Sequence, residues 1–430
     1  ALETVPGIDQ LDASAVELVD RTMIDLANEN PVFRPTIDQF LKGNPAAILL
    51  VEFSGDEEQP LLEKLTHLHE LVRNLNSSVE IIDALEPGFQ AEVWEVRKSG
   101  LNILMAMRGD GKPVSFIEDC AVPLEHLADY TDRLNEEFDR HGVQGTWYAH
   151  ASVGTLHVRP VLNMKDPKHA IKMREIAEVA CATVKELKGA FSGEHGDGLV
   201  RSEFIEKFYG PRLNHAFKEI KEAFDPNHML NPGKIVDPPK MDERSLFRFG
   251  PDYKPGSLVE ALDWSEFGGF LRASEMCNNN GHCRKSEVGV MCPSYRATRE
   301  EVHLTRGRAN TLRLALSGQL GKDALVSDMM KETMDLCVGC KGCRRECPTG
   351  VDMSRLKLEF LHHYNSRHGQ SLRNKLISHL PRYAPTASKF GQALNSLERI
   401  PGIGLIREAI TGFSRHRSLP YWHRKPYFGL

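Results

Sequence analysis

The 430-residue sequence contains no apolar run near the roughly 18 residues that a membrane-spanning helix needs. It also lacks a strong charge excess. Its 54 Lys and Arg nearly balance 59 Asp and Glu, and the net charge of -5 makes no case for a nucleic-acid partner. No G-x-G-x-x-G follows a strand pattern and no Walker loop occurs, so a Rossmann or P-loop nucleotide domain is not expected in this chain. A disulfide framework is missing too. The nine cysteines are odd in number, and seven of them crowd between Cys277 and Cys347, while Cys120 and Cys181 stand alone. Such bunching reads as reduced thiols holding a metal, and the two isolated cysteines read as small core residues. The chain starts at Ala1 without a signal peptide and ends on the aromatic, basic stretch Pro420–Leu430, which together read as a piece excised from a longer protein.

What is present is a folded composition, 41% hydrophobic and 26% charged, long enough for two or three domains. The cysteines give the sharpest signal. Cys337-Val-Gly-Cys340-Lys-Gly-Cys343-Arg-Arg-Glu-Cys347-Pro348 is C-x2-C-x2-C-x3-C-P, the iron–sulfur run in which three thiolates wrap one cubane and the fourth turns to another. Zinc sites pair two knuckles a dozen or more residues apart, so a cluster is the better reading. The earlier group, Cys277, Cys283 and Cys292-Pro293, keeps the same register with Asn280 in place of the middle cysteine. Two-cluster logic assigns Cys337, Cys340, Cys343 and Cys292 to a [4Fe–4S] cluster. Cys277, Cys283 and Cys347 are left for a second, either [3Fe–4S] or [4Fe–4S] with Asn280, His282 or water as fourth ligand. Helical spacing over Trp264–Met276, Arg299–Ser317, Lys322–Leu336 and Ser354–Tyr364 places these cysteines on loops between helices. The arginines of Thr305–Ala309 neutralise cluster charge or simply open an exposed helix.

The front half alternates strand and helix. Ala46–Phe53, Pro113–Glu118, Gly145–His150 and Thr155–Pro160 read as strands. Leu61–Leu75, Leu124–His141, Asp166–Leu187 and Arg201–Phe224 read as helices. The expected fold class is α+β, a ferredoxin-like sheet covered on one face, followed by an all-α domain. Three segments carry chemistry. His150 and His157 flank a small, glycine-containing turn that lets both converge. Ser192-Gly-Glu194-His195-Gly-Asp197-Gly198 adds a ligand and a base. Two histidines and a carboxylate suit a divalent ion, zinc first. Arg97, in Trp94–Lys98, is a candidate carboxylate clamp. Against these stand plainer readings: a structural histidine pair, an ordinary glycine turn, a surface arginine.

Residues Trp94–Lys98, Phe116-Ile-Glu-Asp119 through Pro123, His150–Pro160, Ser192–Gly198 and Asp225–Lys234 resemble the C-terminal half of FAD-linked oxidases of the vanillyl-alcohol oxidase superfamily. The cysteine region, with Met291–Tyr295 and Thr305–Asn310, resembles the helical ferredoxin domain of succinate dehydrogenase iron–sulfur subunits and of glycolate oxidase. Together they resemble long bacterial fusions of flavin and iron–sulfur domains that oxidise D-2-hydroxyglutarate.

The resemblance implies residues 1–240 as the oxidase substrate (cap) domain, 241–262 as linker, 263–366 as the ferredoxin domain, and 367–430 as a basic tail. It further implies a divalent metal on His150, His157 and Glu194, His195 as base, Arg97 on a substrate carboxylate, and Asn231 near FAD, with Glu194 and His195 also facing the cofactor. FAD itself is expected to be held mainly by a domain outside this chain. Two departures stand out. The family's G-H-x-G-D-G-N-L-H appears as Ala149-His-Ala-Ser-Val-Gly-Thr-Leu-His157, and a lysine before the strand-end Asp is Ile117. The implied reaction is oxidation of a D-2-hydroxy acid, D-2-hydroxyglutarate first and D-lactate or glycolate second, with electrons passed through the clusters to an unidentified acceptor. A non-catalytic electron-transfer subunit is the other class. The expected location is cytoplasmic. A homo-oligomer is compatible with it, and the basic tail is read as solvated linker before membrane-surface segment.

Overall fold

The computed structural model describes residues 1–29, 33–75, 79–287 and 289–424. The tail stretch Pro420–Leu430 lies partly outside them. Six strands form one antiparallel sheet: β1 Ala15–Asp20, β2 Ala47–Glu52, β3 Lys112–Pro113, β4 Cys120–Ala121, β5 Gly145–His150 and β6 Thr155–Leu162. They run in the order β2-β1-β5-β6-β3, with β4 also on β6. The α+β class stands, and beyond the sheet the regular elements of the described residues are helices.

Alternation builds the sheet. Val16, Leu18, Trp147, Ala149, Leu156 and Val158 face the helices Leu127–His141 and Pro167–Glu186, and with them form the largest core. The opposite face is only half covered. Val19 and Tyr148 pack there against Met23, Ile24, Val96 and Leu104, and the remainder carries polar residues.

Register decides which polar residues meet. Glu17 stands opposite His150, and Tyr148 opposite His157. Directly paired residues share a face, so Glu17, Tyr148, His150, His157 and Arg159 all stand on the half-covered side. The β5–β6 connection is a 3-10 turn, Ala151–Val153, closed by Gly154 at φ +72. A Cβ there would lie 2.1 Å from the Val122 carbonyl oxygen, so no side chain fits.

Several expected elements differ. The strand expected over Pro113–Glu118 is paired only at Lys112–Pro113, and β1 had not been anticipated. The helix expected over Arg201–Phe224 breaks at Gly210, whose φ of +89 and ψ of 166 precede Pro211. Trp264–Met276 breaks likewise at Gly268 and Gly269, leaving the helix Phe270–Glu275.

A second core gathers Trp264, Phe270, Leu312, Met330, Leu356 and Phe360 around the cysteine loops. It joins the first through Lys165, which pairs with Asp110 at 2.8 Å and Glu275 at 2.6 Å. The tail, expected as solvated linker, instead holds four helices between Leu372 and Thr411. These helices have 7 to 10 residues and bury little of their surface, so they are marginal by local propensity alone.

Candidate functional site

The half-covered face brings four of the expected residues together. Nε2 of His150, His157 and His195 lie 3.7, 3.3 and 3.2 Å from the same atom, Oε1 of Glu194. Two strands and one loop supply them. His150 ends β5, His157 lies in β6, and Glu194-His195 sit on the turn before Gly198. The rings of His157 and His195 stack with centroids 5.1 Å apart.

Asp119 anchors that turn. Its carboxylate is fully buried and accepts the backbone N–H of Glu194 at 2.8 Å and of His195 at 2.9 Å, with the Ser192 hydroxyl at 3.0 Å. Burial pushes its pKa up, but these bonds and the Arg201 guanidinium outweigh it and hold the carboxyl below its usual range. The backbone itself bends at φ +79 to deliver this carboxylate.

Two acids that the sequence reading did not single out frame the cluster. Glu17 accepts from His150 Nδ1 at 2.7 Å with one oxygen and from Arg97 with the other. Glu118 accepts from Arg159, including Nε at 2.6 Å, and its other oxygen stands 3.6 Å from His195 Nδ1. The guanidiniums of Arg97 and Arg159 lie 5.0 and 5.2 Å from the Tyr148 ring centroid. Each arginine is thus held by one acid beside the cluster. Glu118 lay within a stretch already noted, and the apolar alternation of β1 was the available signal for Glu17.

Charge sets the protonation. The bond to Glu17 raises the His150 pKa, although burial and Arg97 oppose it. Burial, then the neighbouring His150 and His195, lowers His157 to about 3, so its imidazole is neutral near pH 7. A neutral, 2% exposed imidazole beside a carboxylate offers its lone pair to a divalent ion. The donor set His150, His157 and Glu194 therefore fits such an ion, and its ligand atoms lie within 4.8 Å of one another.

Arg97 is buried rather than open, its Nη2 occupied by Glu17. Asn231 sits apart on an exposed turn at φ +47, and its side chain makes no hydrogen bond among the described residues. Its amide is free for a cofactor, but the structure does not bring it against the histidines.

In the helical part, Cys292, Cys337, Cys340 and Cys343 line one cavity that opens to solvent, together with Thr305 and Arg308. Backbone N–H groups already point at two of these sulfurs, Thr305 at Cys292 Sγ (3.3 Å) and Met353 at Cys343 Sγ (3.2 Å). Donors aimed at thiolates suit a negatively charged cluster. Arg308 is 1% exposed and spends its N–H groups on Thr333, His303 and Ser294, so it is a wall of this cavity rather than an exposed helix start.

Cys277, Cys283 and Cys347 lie on the neighbouring loops. Asn280 is exposed and bonds within its own loop, donating to Asn278 Oδ1 at 2.6 Å and accepting from His282 N at 2.8 Å. Cys120 and Cys181 are fully buried in the first core, and burial pushes the Cys120 thiol up to about 12, which leaves it inert.

Comparison with known proteins agrees with this division. Residues 1–235, more than half of the chain, match the family model described as FAD linked oxidases, C-terminal domain. Residues 273–351 match the 4Fe-4S dicluster domain. A D-2-hydroxyglutarate dehydrogenase of Pantoea ananatis is 30% identical over 93% of this chain and 43% of its own length. That of Pseudomonas putida is 32% identical over 85% of this chain and 40% of its own. A mitochondrial D-lactate dehydrogenase [cytochrome] of Arabidopsis thaliana is 28% identical over 53% of this chain and 38% of its own. The chain spans less than half the length of these relatives. No helix among the described residues is long and apolar enough to cross a membrane.

Proposed function

Because the chain belongs to the FAD linked oxidases through their C-terminal domain, we propose that it forms the substrate-facing and electron-exporting part of a D-2-hydroxy-acid dehydrogenase. D-2-hydroxyglutarate is the favoured substrate. The observation that carries this reading is the convergence of three histidine Nε2 atoms on one Glu194 oxygen, in a chain that also lines a cavity with four cysteines. The relatives named D-2-hydroxyglutarate dehydrogenase, matched across both halves, support it.

In this reading His150, His157 and Glu194 hold a divalent ion, zinc first. Cys292, Cys337, Cys340 and Cys343 hold a [4Fe–4S] cluster, and Cys277, Cys283 and Cys347 a second, [3Fe–4S] or [4Fe–4S]. When bound, the ion supplies a Lewis acid for the substrate oxygens, FAD a two-electron acceptor, and the clusters one-electron carriers. The chain's own residues do the rest. Arg97 orients a carboxylate from beside Tyr148. His195, whose Nε2 lies 3.2 Å from Glu194 Oε1 and whose Nδ1 lies 3.6 Å from Glu118, takes the hydroxyl proton. Loss of that proton and of the Cα hydrogen with its electron pair leaves the 2-oxo acid. Asn231 offers its free amide to the cofactor.

The test is anaerobic. D-2-hydroxyglutarate, D-lactate and glycolate are added separately to the holoenzyme, flavin and clusters loaded, and the flavin absorbance is followed. Rapid bleaching by D-2-hydroxyglutarate is expected. Bleaching by D-lactate or glycolate alone would shift the substrate, and a chemically reducible flavin that none of them bleaches would overturn the reaction class.

A further inference from the structure

Glu17 divides its two oxygens between two different functions. Oε1 accepts from His150 Nδ1 at 2.7 Å, and Oε2 accepts from Arg97 Nη2. The arrangement is built into the sheet, because Glu17 of β1 stands directly opposite His150 of β5. Arg97 reaches the same carboxylate from the helix Pro87–Lys98, 80 residues further along the chain. Both the Glu17 and Arg97 side chains are only 9% exposed.

Each contact has a chemical consequence. A neutral imidazole that donates from Nδ1 keeps its lone pair on Nε2, the atom that faces Glu194. Glu17 therefore turns His150 toward the ion position and makes it a better ligand. On the other side, a buried guanidinium paired with an internal carboxylate is a weaker contact for an incoming anion. The anion must compete with Glu17 for donors and meets its negative charge at close range.

We infer that Glu17 is a positioning residue coupling metal and carboxylate binding: it strengthens the divalent-ion site through His150 and restrains the anion affinity of Arg97. This rests on the reading of His150, His157 and Glu194 as metal ligands and of Arg97 as a carboxylate contact. The inference has a signature that a merely structural role lacks, because removing the charge moves the two affinities in opposite directions.

The experiment compares wild type with Glu17→Gln. Zinc affinity is measured by competition with a chelator, and glutarate affinity by calorimetry at saturating zinc. Zinc is expected to bind about 10- to 100-fold more weakly in the variant, and glutarate about threefold or more tightly. The inference is overturned if zinc affinity stays within about twofold, or if both affinities fall together, while wild type binds both ligands. Failure of wild type to bind zinc or glutarate overturns the underlying site reading instead, and the coupling with it. If Glu17→Gln misfolds, the double variant Glu17→Gln/Arg97→Met removes both buried charges. It should still bind zinc about 10-fold or more weakly and should lose glutarate; wild-type zinc affinity there would overturn the inference.

Discussion

Asp119 holds the backbone of His195, its Oδ2 accepting that N–H at 2.9 Å while Oδ1 accepts from Glu194 at 2.8 Å. One buried carboxylate thus sets the position of the expected metal-binding glutamate and of the expected base. An Asp119→Asn variant turns an amide N–H toward one of these donors. It should cost about 3 kcal/mol of stability and weaken zinc binding, read by thermal unfolding and chelator competition. Wild-type zinc affinity in the variant would show that the turn holds itself without Asp119.

His157 is the most enclosed ligand of the proposed ion. His157→Ala should drop zinc content from one per chain toward zero, measured by elemental analysis after dialysis. Unchanged zinc would place the ion elsewhere and favour the reading in which the front half is only a platform.

His195 is proposed to move a proton, not to hold the fold. His195→Gln should slow flavin reduction in the holoenzyme by about 10²–10⁴-fold and leave bound zinc in place. A near wild-type rate would remove the base assignment.

The cysteine sets are separable. Cys343→Ser should abolish the cluster of the four-cysteine cavity and leave the other spectroscopic signal. Cys283→Ser should do the reverse. Spin quantitation by EPR reads both, and loss of one and the same signal in both variants would sink the two-cluster arrangement.

Lys112 gives a pH-dependent test at the junction of the two halves. It donates to the Met107 carbonyl and lies 3.6 Å from Met276 Sδ, and burial lowers its pKa from 10.5 to about 8. The unfolded chain binds the extra proton between those values, so this lysine makes folding more favourable as pH rises from about 8 to 10.5. Lys112→Met should abolish that component. The melting temperature of wild type relative to the variant should therefore rise across the window, and parallel curves would show that the amine is not desolvated.

Much of the site was legible where its parts are close in sequence. The spacing of Cys337, Cys340 and Cys343 placed them in one cavity, and the glycine turn between His150 and His157 gave their convergence. Glu17, Glu118 and Arg159 were not read as site residues. Each looks like an ordinary charge on a strand or strand end until pairing shows what stands opposite. The strand expected after Pro113 keeps backbone bonds to β6 at its two ends, Val114 N–H to the Pro160 carbonyl at 3.0 Å and Asp119 N–H to the Leu156 carbonyl at 2.9 Å, and the long helix through Gly210 failed because Gly-Pro ends one helix and starts another.

The linear order of residues alone settles which ligands can share a loop. A thiolate three residues from the next is within reach of the same cluster whatever the rest of the chain does, since each residue spans at most about 3.6 Å. Which face the histidines of β5 and β6 share follows instead from the pairing of the two strands, in which His157 stands opposite Tyr148. Folding alone settles that Glu17 meets Arg97 and His150, and that Asp119 meets His195. Those contacts depend on strand order and on where a helix crosses the sheet, which follow from burying two cores at once rather than from any local spacing.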